Sequence, residues 1–266
     1  MTKPTSAGVH LFIGLLLVFS AAGCLYLPRA ARVPMRSISV SVTTAPSKTL
    51  IVFLPGRGDS MNDFAEKGLL ATLREAGPAV DVVCVDAHMG YYLSGTIAQR
   101  LRDDVLRPAR GRGYTRIVAV GISLGGLGAL LTERDQRDSF DALVLIAPYL
   151  GNDALLFGDI TKAGGPARWA GLGRRDSRES IAEIVWTYLG ERCATLPETW
   201  LLFGENDRYR AGQQLLAGLL PSSHVTILPG KHDWATWNRL WRSACATPGL
   251  LTADNVGAAS GIAARH

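Results

Sequence analysis

Short apolar runs and longer amphipathic stretches alternate along most of this chain. Residues 37–44 alternate strictly between polar and apolar positions, the period of a half-buried strand. Later runs at 50–54, 80–85, 117–120, 143–147, 200–203 and 225–228 are apolar almost throughout. Such continuity marks strands covered on both faces, as in a parallel sheet. Between them, residues 63–76, 96–107, 124–134, 208–219 and 233–244 predict helices. Strands and helices taken in turn predict an α/β fold, with a mostly parallel central sheet and helices on both faces. Residues 152–198 break the rhythm, because ordinary connections are far shorter. They predict a small cap insertion with a helix over 180–189. The domain is expected over residues 37–246, followed by a loosely ordered tail of small and polar residues at 247–266.

The first residues follow a different pattern. Lys3 precedes an apolar run at 11–19, too short to span a bilayer, which takes about 20 residues. Residues 1–23 therefore predict an export signal, and residues 24–36, with Pro28 and Pro34, a linker. Small residues at Ser20 and Ala22 fit an ordinary cut before Gly23. The ending Ala22-Gly23-Cys24 also resembles a bacterial lipobox, although Ala21 departs from the larger aliphatic residue usual there. On that route Cys24 is acylated and holds the protein at a membrane surface of the cell envelope. An uncleaved anchor is the third route, and ordinary cleavage would leave a secreted or periplasmic protein. All three take the chain out of the cytoplasm.

Charge adds little. The net charge of +5 is spread over scattered arginines and gives no support to a nucleic-acid partner. Of the four cysteines, Cys84 lies in an apolar strand and reads as a small buried hydrophobe. No spacing fits a zinc site, and no metal is expected. A last helix of twelve or so residues would span about 18 Å and run back toward the starting ends of the strands. That would bring Cys245 near Cys193, so a disulfide between them is expected. Nothing in the sequence sets an oligomeric state.

The chemistry centres on Gly121-Ile122-Ser123-Leu124-Gly125, which joins an apolar strand to a glycine-rich helix. Strand, G-x-S-x-G and helix together form a nucleophile elbow. A serine hydroxyl needs a positioned base. Of the five histidines, His10 lies in the signal, His266 is the last residue, and His224 begins a strand at the wrong end of the sheet. His88 and His232 remain, and His232 stands between the last strand and the last helix, where functional groups of parallel sheets gather. The acid that orients the imidazole is expected at Asp207, in the turn after the 200–203 strand, with Glu205 second. The structural alternative makes Asp207 only the cap of the helix that follows. An oxyanion site is expected from the backbone N–H of Leu124 and that of Arg57, in Pro55-Gly56-Arg57-Gly58-Asp59, with Gly58 next. That loop also spells an Arg-Gly-Asp adhesion tripeptide, but its place after a buried strand already accounts for its glycines.

These motifs, in the order Ser123, Asp207, His232, make residues 37–246 resemble the α/β-hydrolase superfamily. The run His232-Asp233-Trp234-Ala235-Thr236-Trp237 is similar to the end of esterase D-type and related esterases. The Pro-Gly-Arg-Gly loop departs from the His-Gly-Gly-Gly loop of many lipases. The resemblance implies an α/β-hydrolase fold and cleavage of a small or lipid-like carboxylic ester through an acyl-serine, with no cofactor. An acyltransferase or thioesterase would use the same three residues, and a non-catalytic binding lipoprotein would keep the same fold. A dinucleotide fingerprint is excluded because it needs glycine where Ser123 stands. His88, Tyr91 and Tyr92 either line the substrate pocket or anchor a loop. Tyr149, Trp169 and Trp186 either wall a cap or fill its core.

Overall fold

The computed structural model describes residues 29–42, 47–173 and 180–251. The expected signal with Cys24, and the end of the tail, lie outside the described residues. The chain divides after Ala30, and every described strand and helix belongs to the unit from Ala31 onward. No helix among the described residues is long and apolar enough to cross a membrane.

Among the described residues seven strands form one sheet: β1 (Ser37–Ser41), β2 (Thr49–Leu54), β3 (Asp81–Val85), β4 (Arg116–Ile122), β5 (Ala142–Ile146), β6 (Glu198–Gly204) and β7 (Val225–Leu228). Their order is β1-β3-β2-β4-β5-β6-β7. Only β1 runs antiparallel, against β3; the pairs from β3 to β7 are parallel. The apolar strands β2 and β5 are buried at every position. Period-two alternation sends their side chains into two cores. Leu50, Val52, Leu54, Leu143 and Leu145 enter one, while Ile51, Phe53, Val144 and Ile146 enter the other.

Helices cover both faces. Near the start come α1 (Asp63–Glu66) and α2 (Leu69–Ala76), where the pattern predicts one helix. Gly68 separates them at φ 92, a left-handed conformation that ends a helix. Next are α3 (Met89–Leu93), α4 (Ile97–Leu101) and α5 (Arg107–Gly111), with a π turn at Arg102–Leu106 between the last two. Pro108 has no N–H for the carbonyl four residues back, and the wider turn accommodates that loss. Then come α6 (Leu124–Asp135), α7 (Ala154–Lys162), α8 (Pro166–Gly171), α9 (Ile181–Arg192), α10 (Arg210–Ala217) and α11 (Trp234–Cys245).

The insertion at 152–198 is less a separate cap than part of a helical layer. On α9, Val185, Trp186 and Leu189 enter the first core, and the Trp186 indole N–H donates to the Leu150 carbonyl at 2.9 Å. Trp169 packs against the same core. On the other face Trp241 is fully buried and donates to the Leu69 carbonyl at 3.0 Å, fastening α11 to α2. Burying each such large side chain contributes about 1.5–3 kcal/mol.

Both ends of the domain are tighter than the sequence predicts. Residues 31–36 lie against the body instead of forming a free linker. Met35 is buried, and its N–H donates to Asp104 at 2.7 Å. At the other end, Leu250 and Leu251 are buried, so packing continues past residue 246. The expected Cys193–Cys245 disulfide is not formed. Cys245 is a free thiol packed against the second core, and burial pushes it up to about 12. The side chain of Cys193 lies outside the described ones.

One buried acid has a measurable consequence. Glu133 on α6 is 3% exposed and accepts the Phe140 N–H at 2.6 Å. Desolvation pushes its carboxyl up from 4.5 to about 7, against the pull of that bond. The folded state therefore holds this proton more tightly than the unfolded chain. Stability from this group is present below pH 4.5 and lost as pH rises through about 7. The Tm of the native protein should fall over that window relative to Glu133→Gln, whose amide oxygen can still accept from Phe140. Parallel Tm profiles in the two proteins would refute the assignment.

Candidate active site

At the end of β4 the chain turns through Ser123, whose φ of 50 and ψ of −111 lie outside the ordinary regions. A conformation of this kind costs about 1–3 kcal/mol and persists only where its surroundings enforce it. Enforcement comes from backbone hydrogen bonds on both sides of the residue. The Ser123 N–H donates to the Ile146 carbonyl at 3.0 Å, and the Ser123 carbonyl accepts from Tyr149 at 2.9 Å and Gly126 at 3.1 Å. Two glycines make room. A Cβ on Gly121 would stand 2.6 Å from the Gly125 carbonyl oxygen, and one on Gly125 would run into the Leu54 carbonyl of β2.

The turn after β6 is tied to the chain that leaves β7. Glu205 N–H donates to the Leu228 carbonyl at 2.9 Å, and Asn206 N–H to that of Gly230 at 2.8 Å. These two bonds carry Asp207 to His232. His232 Nδ1 lies 2.7 Å from Asp207 Oδ2, and its Nε2 lies 2.9 Å from Ser123 Oγ. The Asp207 side chain has no exposed surface and the His232 side chain 5%. The second Asp207 oxygen accepts the Tyr209 N–H at 2.8 Å. Asp207 is thus more than a local cap, since α10 begins only at Arg210. Glu205 points away as an exposed side chain. His224, at the opposite end of the strands, stacks on Trp200 and meets the Thr199 carbonyl.

Aromatic rings restrict the imidazole. Tyr209 and Trp237 meet His232 edge to face, at 4.8 and 5.0 Å between centroids. Trp237 is held by α11, whose start is capped by Asp233 accepting the Thr236 N–H at 2.9 Å. Those bonds from Thr236 hold the Asp233 carboxyl below its ordinary range. In the same turn, the Trp234 indole N–H donates to Asp59 Oδ1 at 3.2 Å. Asp59 closes the loop after β2, and burial raises its carboxyl above its ordinary value. One bond therefore ties the helix bearing His232's neighbours to the loop expected to supply oxyanion donors.

That loop approaches the nucleophile closely. A Cβ on Gly56 would lie 3.6 Å from Ser123 Cβ and 2.6 Å from Asp59 Oδ2. Leu124 opens α6, so its N–H belongs to the first turn, where no intrahelical carbonyl is available. Above Ser123 and His232 lies a cleft of about 390 Å³. Met89, Tyr149, Tyr209 and Trp237 provide its apolar walls, and Arg57, Asn152 and Arg208 its polar ones. Among the described residues, Asn152 is the one cleft residue drawn from the insertion.

The expectation that His88, Tyr91 and Tyr92 line this pocket is corrected. All three are buried within or under α3. His88 Nδ1 accepts the Gly90 N–H at 3.2 Å and caps that helix. The Tyr91 hydroxyl donates to the Arg32 carbonyl at 3.1 Å, and that of Tyr92 to the Leu124 carbonyl at 3.0 Å, beneath the elbow. The short helix turns these side chains inward and leaves Met89 facing the cleft. Burial holds the Tyr92 phenol well above its ordinary range. Met89, Asn152, Arg208, Tyr209 and Trp237 were not identified from sequence as site residues. Trp237 had a signal, its place in the His-Asp-Trp-x-x-Trp run. Among the described residues no cluster of His, Cys, Asp and Glu could hold a metal ion.

Comparison with known proteins agrees with this architecture. The sequence profile of the alpha/beta hydrolase family matches residues 51–264. No curated protein sequence matches the chain. Among solved structures, S-formylglutathione hydrolase from Staphylococcus aureus superposes with a TM-score of 0.50 at 16% identity, covering 82% of this chain and 97% of its own. A thermostable carboxylesterase cloned from a metagenomic library superposes with a TM-score of 0.54, also at 16% identity, covering 83% and 88%. At that identity the likeness concerns the fold, and the profile match places the lineage: the chain belongs to the alpha/beta hydrolase family.

Proposed function

We propose that this protein is an exported serine esterase that cleaves a carboxylic ester through an acyl-Ser123 intermediate. The observation that carries the reading is the continuous relay Asp207–His232–Ser123 ending on a strained elbow. His232 Nε2 takes the Ser123 Oγ proton as the oxygen attacks the ester carbonyl. Asp207 fixes the tautomer and stabilises the imidazolium. The backbone N–H groups of Leu124 and Arg57 receive the developing oxyanion. Collapse of the tetrahedral adduct expels the alcohol, which takes its proton from His232, and leaves Ser123 acylated. Water then gives a proton to His232 and its hydroxyl to the acyl group. Release of the acid returns the proton to Ser123.

Export belongs to the same proposal and rests on the apolar run at 11–19 and the small residues before Cys24. Acylation of Cys24 would hold the enzyme at the membrane surface, near lipid-like or acylated envelope esters. Metabolic labelling with a palmitate analogue should mark the native protein and not Cys24→Ala. An unlabelled native protein removes the lipid anchor from the reading.

A fluorophosphonate probe should label the native protein and leave Ser123→Ala unlabelled. On p-nitrophenyl esters, Ser123→Ala and His232→Ala should each lower kcat by a factor on the order of 10⁶, with the double variant no worse than either. Asp207→Asn should lower it by about 10⁴. If Ser123→Ala labels or hydrolyses as fast as the native protein, the esterase reading fails. Trp234→Phe keeps an aromatic side chain at this position and removes the N–H that holds Asp59. It should lower kcat about tenfold with KM little changed. An unchanged kcat would show that this bond does not position the loop.

A further inference from the structure

Arg57 and Arg208 both line the cleft. They follow different strands: Arg57 the loop after β2, Arg208 the turn after β6. In the sheet those strands lie on opposite sides of β4, which ends in Ser123. The nucleophile is therefore flanked by two guanidinium-bearing loops. Among the described residues, neither arginine makes an ion pair, whereas Arg100, Arg110 and Arg116 sit against carboxylates. Arg208 is placed by its neighbour, with its guanidinium carbon 4.9 Å from the centroid of the Tyr209 ring. Among the described residues no Asp or Glu lines the cleft. The carboxylates beside the two arginines in sequence are both engaged: Asp207 has no exposed surface and is bonded to His232 and Tyr209, and Asp59 accepts the Trp234 indole N–H.

A cleft whose described lining carries two unpaired cations and no carboxylate suits a ligand that brings the negative charge. Guanidinium groups match the flat oxygen pairs of carboxylate and phosphate. We propose that the substrate is an ester with a second, anionic oxygen group, carboxylate or phosphate, which Arg57 and Arg208 hold while Ser123 attacks the ester carbonyl. This rests on the esterase reading above and adds the substrate class to it. The competing role for Arg57 is to stabilise the oxyanion of every ester alike.

The test compares charged and neutral esters within each protein, so that any loss of basal rate cancels. The acyl-side pair is p-nitrophenyl hemisuccinate against p-nitrophenyl pentanoate, with p-nitrophenyl phosphonopropanoate as the phosphate-like arm. The alcohol-side pair is p-acetoxybenzoate against its methyl ester. In at least one arm the native protein should favour the anionic ester in kcat/KM by about tenfold or more. That preference should shrink on raising ionic strength from about 0.02 M to about 0.5 M. Arg208→Gln and Arg57→Gln should each reduce the preference, and Arg208→Glu should reverse it.

A preference of one in every arm, or one unchanged by all three variants, overturns the proposal; equal loss on charged and neutral esters in Arg57→Gln assigns that residue to the oxyanion instead. Binding separates this from the parent reading. Ser123→Ala should bind the favoured anionic ester more tightly than its neutral partner, and lose the difference when both arginines become Gln. Charge-selective binding without hydrolysis by the native protein would sink the esterase reading and keep the cleft assignment. Hydrolysis without charge selectivity would do the reverse.

Discussion

The close approach of α6 to β2 and β4 is the constraint on which the rest of this structure depends. With no Cβ on Gly121 or Gly125, the first turn of the helix can settle against the Leu54 carbonyl and the end of β4. That contact leaves Ser123 no ordinary backbone conformation between strand and helix. Its φ of 50 follows from packing on both sides, and the two cores flanking the sheet supply the stability that offsets the strain. The same geometry aims Oγ out of the sheet edge and leaves the Leu124 N–H free of any helical partner.

Around that elbow the site is assembled from the ends of three other strands. The loop after β2 brings Gly56 and Arg57, the turn after β6 brings Asp207, and the chain leaving β7 brings His232. Backbone bonds between the β6 turn and the β7 exit hold the last two in register, within hydrogen-bond distance of each other. The carboxylate lies deep and its charge is engaged by two N–H donors, while the cations stand at the open side of the cleft. Negative charge is buried and positive charge is presented, a division that sets the electrostatic character of the cleft above Ser123.

Where the sequence misled, a local pattern was read without the neighbours that decide it. Residues 88–92 lie on the functional edge of the sheet, which made pocket lining plausible. A five-residue helix turns His88, Tyr91 and Tyr92 inward, and their polar atoms bond to backbone beneath the site. The insertion reads as a small cap because its length is anomalous, and Val185, Trp186 and Leu189 on it belong to the same core as the strands. Residues 31–36 carry no periodicity, and their order comes from contacts with Tyr91 and Asp104, far along the chain. Tyr209 and Trp237 could be placed beside His232 only once α10 and α11 had directions in space.

Alone, the sequence determined what repeats or stands at fixed local spacing. Apolar runs named the strands, since burial on both faces leaves no polar position. The pentapeptide between strand and helix named Ser123, because that turn tolerates only small flanking residues on its inner side. Elimination and chain order then named His232 and Asp207. Tertiary structure decided what depends on distance between remote residues: the 2.7 and 2.9 Å spacings of the relay, the rings that confine the imidazole, and the two arginines at its mouth. A side chain's neighbours across a sheet are set by packing of both faces at once, and no window of sequence contains both faces.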